Sequence, residues 1–98
     1  MTINSKKDGK ALTLALEGRL DTITSPELEA ALKEDLEGVE TLIFDFSALD
    51  YISSAGLRVL LAAQKKMNRQ GSMKLTGVSE TVMEIFDITG FADILTIE

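Results

Sequence analysis

The stretch Thr41-Leu-Ile-Phe-Asp-Phe-Ser-Ala-Leu-Asp-Tyr-Ile-Ser-Ser-Ala-Gly-Leu57 decides how this chain folds. It opens with a short, nearly continuous apolar run, Thr41 to Phe46, the pattern of a central strand covered on both faces. The chain then passes through a loop into a helix expected from about Ser54 to Gln70, with Gly71 as its left-handed cap. The first half of that helix is apolar almost all round (Leu57, Val59, Leu60, Leu61, Ala62, Ala63), which places it in the core. Arg58, Lys65 and Arg69, spaced seven and four apart, form a single basic stripe along it.

Working outward, Met1 to Lys7 reads as a weak strand and Asp8-Gly9 as a hairpin turn. Leu12, Leu14 and Leu16 alternate with Ala11, Thr13 and Ala15, a period-two strand that Gly18 interrupts. Thr24-Ser25-Pro26-Glu27 starts a helix by either of two routes. Thr24 with Glu27 makes a capping box, and Ser25 with Pro26 makes an N-cap followed by proline at the first helical position. Leu28, Ala31, Leu32 and Leu36 then recur at helical spacing. Met73 to Val78 is a further strand. Ser79 caps a third helix that buries Val82, Met83, Ile85 and Phe86 and ends at Gly90, and Ile94 to Ile97 forms a last short strand. The order β-β-α-β-α-β-α-β predicts an α/β domain: a mixed sheet of about five strands packed with three or more helices. An N-terminal antiparallel hairpin should lead into parallel strands joined by right-handed crossovers.

Ninety-eight residues suffice for one domain, residues 1–98, and 45% hydrophobic against 27% charged residues supplies a core and excludes a disordered chain. The chain has no Cys, no His and no Trp. Disulfides, Cys/His zinc sites, thiol catalysis and any nucleophile that relies on an imidazole base are thereby removed, and no cofactor or metal is expected. Asp21, Asp45 and Asp50 match no cation-binding loop spacing. A net charge of −6 argues against direct nucleic-acid binding through phosphate neutralisation. The charge is uneven: residues 20–50 hold nine acids against Lys33 alone, whereas residues 51–74 hold five bases and no acid. No run is long enough for membrane insertion and the N-terminus has no signal-peptide apolar core, so a cytoplasmic location is expected.

Functional residues are expected where the central strand meets the buried helix, since the carboxyl ends of strands host most sites in open α/β sheets. Ser53 and Ser54 lie at the helix N-terminus, where unpaired amides and the helix dipole favour negative charge. There a serine hydroxyl either caps the helix or stands exposed to an enzyme that adds phosphate.

The pattern Asp45-Phe-Ser-x-Leu-x-Tyr-Ile-x-Ser-Ala-Gly-Leu57, with Gly18-x-Leu20-Asp21 about 30 residues upstream, closely resembles the STAS domain of bacterial anti-sigma factor antagonists. The resemblance covers essentially the whole chain, including the helix near Ser79 and the Phe86-Asp-Ile-Thr-Gly-Phe91 segment. The family's typical run is Asp-Ser-Ser-Gly or Asp-Ser-Thr-Gly, in which the first Ser is phosphorylated. By position Ser54 takes that serine's place, Gly56 the glycine, and Ser53 stands where the family has Asp. Asp21 matches the acidic residue of an early loop that lies near the phosphorylation site.

The resemblance implies a partner switch and not an enzyme. The unphosphorylated antagonist binds an anti-sigma factor that is itself a serine kinase, and a sigma factor is released. Phosphorylation dissolves the complex, and a serine phosphatase resets it. The same resemblance allows a second role, as a STAS assembly subunit of a membrane lipid transporter ATPase that phosphorylation does not switch. A nucleotide or small-ligand sensor finds no phosphate-binding Gly-rich loop to rest on. Arg58, four residues after Ser54 on the same helix face, is expected to pair with the phosphate.

Overall fold

A computed structural model describes residues 1–98. The elements are β1 (Thr2–Asp8), β2 (Ala11–Leu20), α1 (Ser25–Asp35), β3 (Thr41–Ile52), α2 (Ser54–Gln70), β4 (Ser72–Thr76) and α3 (Glu80–Thr89), followed by a 3-10 turn at Phe91–Asp93. The strands form one sheet in the order β1-β2-β3-β4. β1 runs antiparallel to β2, while β2–β3 and β3–β4 are parallel. The expected hairpin-then-crossover architecture is therefore present.

Four strands form rather than about five. The expected last strand at Ile94–Ile97 is reduced to a single parallel bridge, Leu75 with Ile97. It is held by the Leu75 amide on the Thr96 carbonyl and the Glu98 amide on the Leu75 carbonyl, both at 2.9 Å. The Ile94 and Leu95 amides both donate back to the Phe91 carbonyl, at 3.0 and 2.9 Å, so the first half of the expected strand cannot join the ladder.

The sheet is also packed on one face only. Leu12, Leu14 and Leu16 of β2, Leu42, Phe44 and Phe46 of β3, and Met73 and Leu75 of β4 are buried, while their alternating neighbours are at least partly exposed. A buried cluster of 23 side chains forms between that face and the helices. Phe46 touches Phe44 and the α3 residue Phe86, with ring centroids 5.7 and 6.5 Å apart. Continuity of apolar residues in Thr41–Phe46 thus reflects Ile43 on the half-open face, not a second helical layer.

The largest departure from expectation lies just after Phe46. Residues 47–52 are strand, not loop. Ala15 pairs with Asp45 but Glu17 with Ala48, and Gly18 pairs with Leu49 but Arg19 with Tyr51. β3 therefore carries an extra residue twice. Each β-bulge advances the pleat by one position, so burial falls at 42, 44, 46, 49 and 52. Asp45 holds the first bulge: its Oδ1 accepts from the Ser47 amide at 3.0 Å and from the Ser47 hydroxyl at 2.6 Å. The Ser47 hydroxyl's bond in turn keeps the Asp45 carboxyl below its ordinary pKa. β2 likewise continues through Gly18 to Leu20.

Two helix ends differ from expectation, the close of α2 and the start of α1. Ser79 caps α3 as expected, its hydroxyl accepting from the Val82 amide, and Gly90 closes that helix in the left-handed region. Gly71 is not left-handed: its φ is 172°, and a β-carbon there would stand 1.9 Å from the Glu40 carbonyl oxygen. Close backbone approach, not helix-end geometry, requires that glycine. At α1 neither capping route operates. Thr24 occupies the N-cap position without a side-chain cap bond, and the Ser25 hydroxyl is buried with no partner.

Candidate functional site

Parallel pairing of β2 with β3 brings their carboxyl ends together and fixes the site. Leu20 pairs with Ile52, and the Ser53 amide donates to the Leu20 carbonyl at 2.8 Å. Only Ser53 separates β3 from α2, and only Asp21–Thr24 separates β2 from α1. Two short, rigid connections therefore stand side by side. They carry Asp21 on one and Ser53 and Ser54 on the other.

The Asp21 connection is closed by its own hydrogen bonds. Asp21 Oδ1 accepts from the amides of Ile23 and Thr24, each at 3.0 Å. The Thr24 hydroxyl accepts from the Asp21 amide and donates to the Arg19 carbonyl, both at 2.8 Å. This explains why Thr24 does not cap α1: its side chain faces back into the turn. Bonding from the Thr24 amide is the main reason the Asp21 carboxyl sits below its ordinary pKa; the Ile23 amide, the Thr24 hydroxyl and the Arg19 charge add to it. Arg19 lies 3.9 Å from Asp21 Oδ2 and covers the Tyr51 ring at 4.4 Å from its centroid. The turn also presents Ile23, 85% exposed.

On the other connection, Ser54 is the first residue of α2 and exposed. Ser53 holds the N-cap position, its carbonyl accepting from the Leu57 amide at 2.9 Å. Its hydroxyl, however, is buried without a partner and does not cap the helix. The first-turn amides of α2 are thus left without a side-chain acceptor. Gly56 is buried against the strand ends: a β-carbon there would lie 2.7 Å from Leu20 Cγ and 2.8 Å from Ile52 Cγ1. Gly56 therefore sets how closely α2 approaches the sheet. Arg58 is exposed one turn after Ser54, at the mouth of a groove between α1 and α2.

All five residues expected at the site thus fall at or next to one edge of the molecule. Asp21, Ser53 and Ser54 line the joined strand ends, Gly56 lies beneath, and Arg58 is on the adjacent turn. Sequence reading missed Arg19, Thr24 and Ile23. For Ile23 a signal was present, an isolated large apolar residue within the otherwise polar turn Asp21-Thr22-Ile23-Thr24. For Arg19 none was, because its place over Tyr51 follows from the β2–β3 register; for Thr24 the capping pattern with Glu27 masked its bonds back to Asp21 and the Arg19 carbonyl. No group of His, Cys, Asp or Glu side chains is placed to hold a metal ion. No helix is long and apolar enough to cross a membrane.

Residues 2–98 match the STAS domain, and the chain belongs to that family. Among its relatives, the anti-sigma-B factor antagonist of Listeria monocytogenes is 31% identical over 96 residues, covering 95% of this chain and 83% of that protein. The anti-sigma-B factor antagonist of Bacillus subtilis is 30% identical over 98 residues, covering 99% of this chain and 90% of that one. The fold is shared with the anti-sigma factor antagonist SpoIIAA in its unphosphorylated form, at a TM-score of 0.78 and 18% identity over 99% of this chain and 87% of that one. Its phosphorylated form superposes equally well, at a TM-score of 0.77 and 19% identity over 99% of this chain and 91% of that one.

Proposed function

We propose that this protein is an anti-sigma factor antagonist whose binding to its partner is switched by phosphate on Ser54. The observation that carries the reading is an exposed serine at the first position of α2, whose N-cap side chain takes up none of the first-turn amides. Relatives matched over 83% and 90% of their own length and named as anti-sigma-B factor antagonists support it, against the transporter-subunit alternative. In this reading the chain acts in the cytoplasm as a substrate and binding module. An anti-sigma serine kinase docks over the joined strand ends, with Ile23 supplying apolar contact and Asp21 a fixed negative charge.

Phosphate on Ser54 adds about −1.5 to −2 charge where the helix dipole tolerates it, so the domain stays folded and the interface takes the damage. An interface loss of about 2–3 kcal/mol weakens binding roughly 30- to 150-fold. A serine phosphatase restores the binding form. Arg58, at i+4, pairs with the phosphate and lengthens its lifetime. The test is phosphorylation of the intact chain by the anti-sigma kinase of the same genome with ATP, followed by mass mapping. Label on Ser54 that disappears in Ser54→Ala supports the reading. Label on Ser53 alone, or none, overturns it.

A further inference from the structure

A groove of about 500 Å³ runs between α1 and α2 and opens at the first turn of α2, where Ala55 and Arg58 line it. Its floor is apolar, with Leu32 of α1 and Leu36 just past its end, and Val59 and Ala63 from α2. Its rim carries Lys33, Arg58 and Lys66 against the single acid Glu29. Lys65 and Arg69 extend the cationic surface along α2, lining a shallower depression with Lys66. None of these five cations is in an ion pair; the ion pairs of the molecule use Lys10, Arg19 and Lys74 instead.

A solvated helix face ordinarily mixes signs and pairs Glu with Lys at i,i+4. α2 contains no acidic residue at all, although the chain has 16 acids to place and a net charge of −6. An unneutralised cationic face on an acidic protein, concave and with an apolar floor, is complementary to an acidic segment carrying apolar side chains. A bilayer fits worse: it is too flat to enter the groove, and an anionic one is repelled by the net charge. We infer that the α1–α2 groove is a second docking surface that receives an acidic, partly apolar segment of the anti-sigma kinase. This rests on the proposed function, and it adds a steering contact beyond the Ser54 face.

Rim charges act chiefly on association rate and its salt dependence. The test measures association of the same genome's anti-sigma kinase with the intact chain, at about 50 mM and about 300 mM NaCl. Four forms are compared: wild type, Lys33→Glu/Lys66→Glu, Lys6→Glu/Lys7→Glu and Ser54→Asp. Lys6 and Lys7 are exposed on β1, away from the groove, and give the same change in net charge. The groove variant should associate at least about tenfold more slowly at low salt with a flattened salt dependence, whereas the β1 variant tracks wild type. Equal rates for the two double variants overturn the groove assignment, even if Ser54→Asp still loses binding as the switch requires. Full binding by Ser54→Asp sinks the switch reading instead. Wild-type chain that ignores the kinase but sediments with phosphatidylserine vesicles through Lys33 and Lys66 overturns both.

Discussion

Ser54 is useful to a switch because its neighbours leave it free. Ser53 takes the N-cap position without spending its hydroxyl on the helix, and Gly56 lets α2 sit hard against Leu20 and Ile52. Gly56→Ala should destabilise the fold by about 1–3 kcal/mol, as overpacking does when the neighbours have no room to move. Leu20 and Ile52 are 0% and 1% exposed, so neither can swing aside, and the loss should appear as a lower denaturant midpoint. Arg58→Ala should leave stability unchanged, because Arg58 is exposed, and shorten the lifetime of phosphate on Ser54 in a phosphatase assay. The Asp21 carboxyl should titrate below the ordinary carboxylate range by NMR. Because its folded pKa is lowered, the turn it closes is supported at pH values above the unfolded pKa of about 4 and loosens as pH falls through the lowered value. Asp21→Asn should remove that acid dependence.

Among the elements, those with an unbroken local period were legible from residues alone. The alternation of Leu12, Leu14 and Leu16, the helical spacing of Leu28, Leu32 and Leu36, and the Ser79 cap all appear where expected. Ser79→Ala should cost about 1 kcal/mol through the lost bond to the Val82 amide, measurable as a shift in thermal midpoint. What escaped notice depends on pairing across the sheet. β3 beyond Phe46 looked like a loop because two bulges break its period-two pattern, and bulges exist only relative to a neighbouring strand. Thr24 escaped for a local reason: its pattern with Glu27 is that of a capping box. Its hydroxyl is drawn instead to the Arg19 carbonyl at the strand end. The position of Ser54 at a helix start was readable from sequence; the buried, non-capping hydroxyl of Ser53 was not, since it depends on how α2 meets the sheet.

At the scale of the whole molecule, parallel crossovers place the starts of α1 and α2 at the same edge as the ends of β2 and β3. One rigid edge therefore offers a fixed acid, an exposed isoleucine and a modifiable hydroxyl, while the α1–α2 groove beside it carries Lys33, Arg58 and Lys66, none of them in an ion pair. The charge asymmetry visible along the sequence becomes a spatial one, an acidic body with a cationic flank. Such a surface suits a binding module controlled by a single added charge. The most direct test of this account is the affinity of the anti-sigma kinase for the intact chain, unphosphorylated and stoichiometrically phosphorylated on Ser54, by isothermal titration. The account predicts that the phosphorylated form binds roughly 30- to 150-fold more weakly while remaining folded by circular dichroism. Equal affinities for the two forms would contradict it.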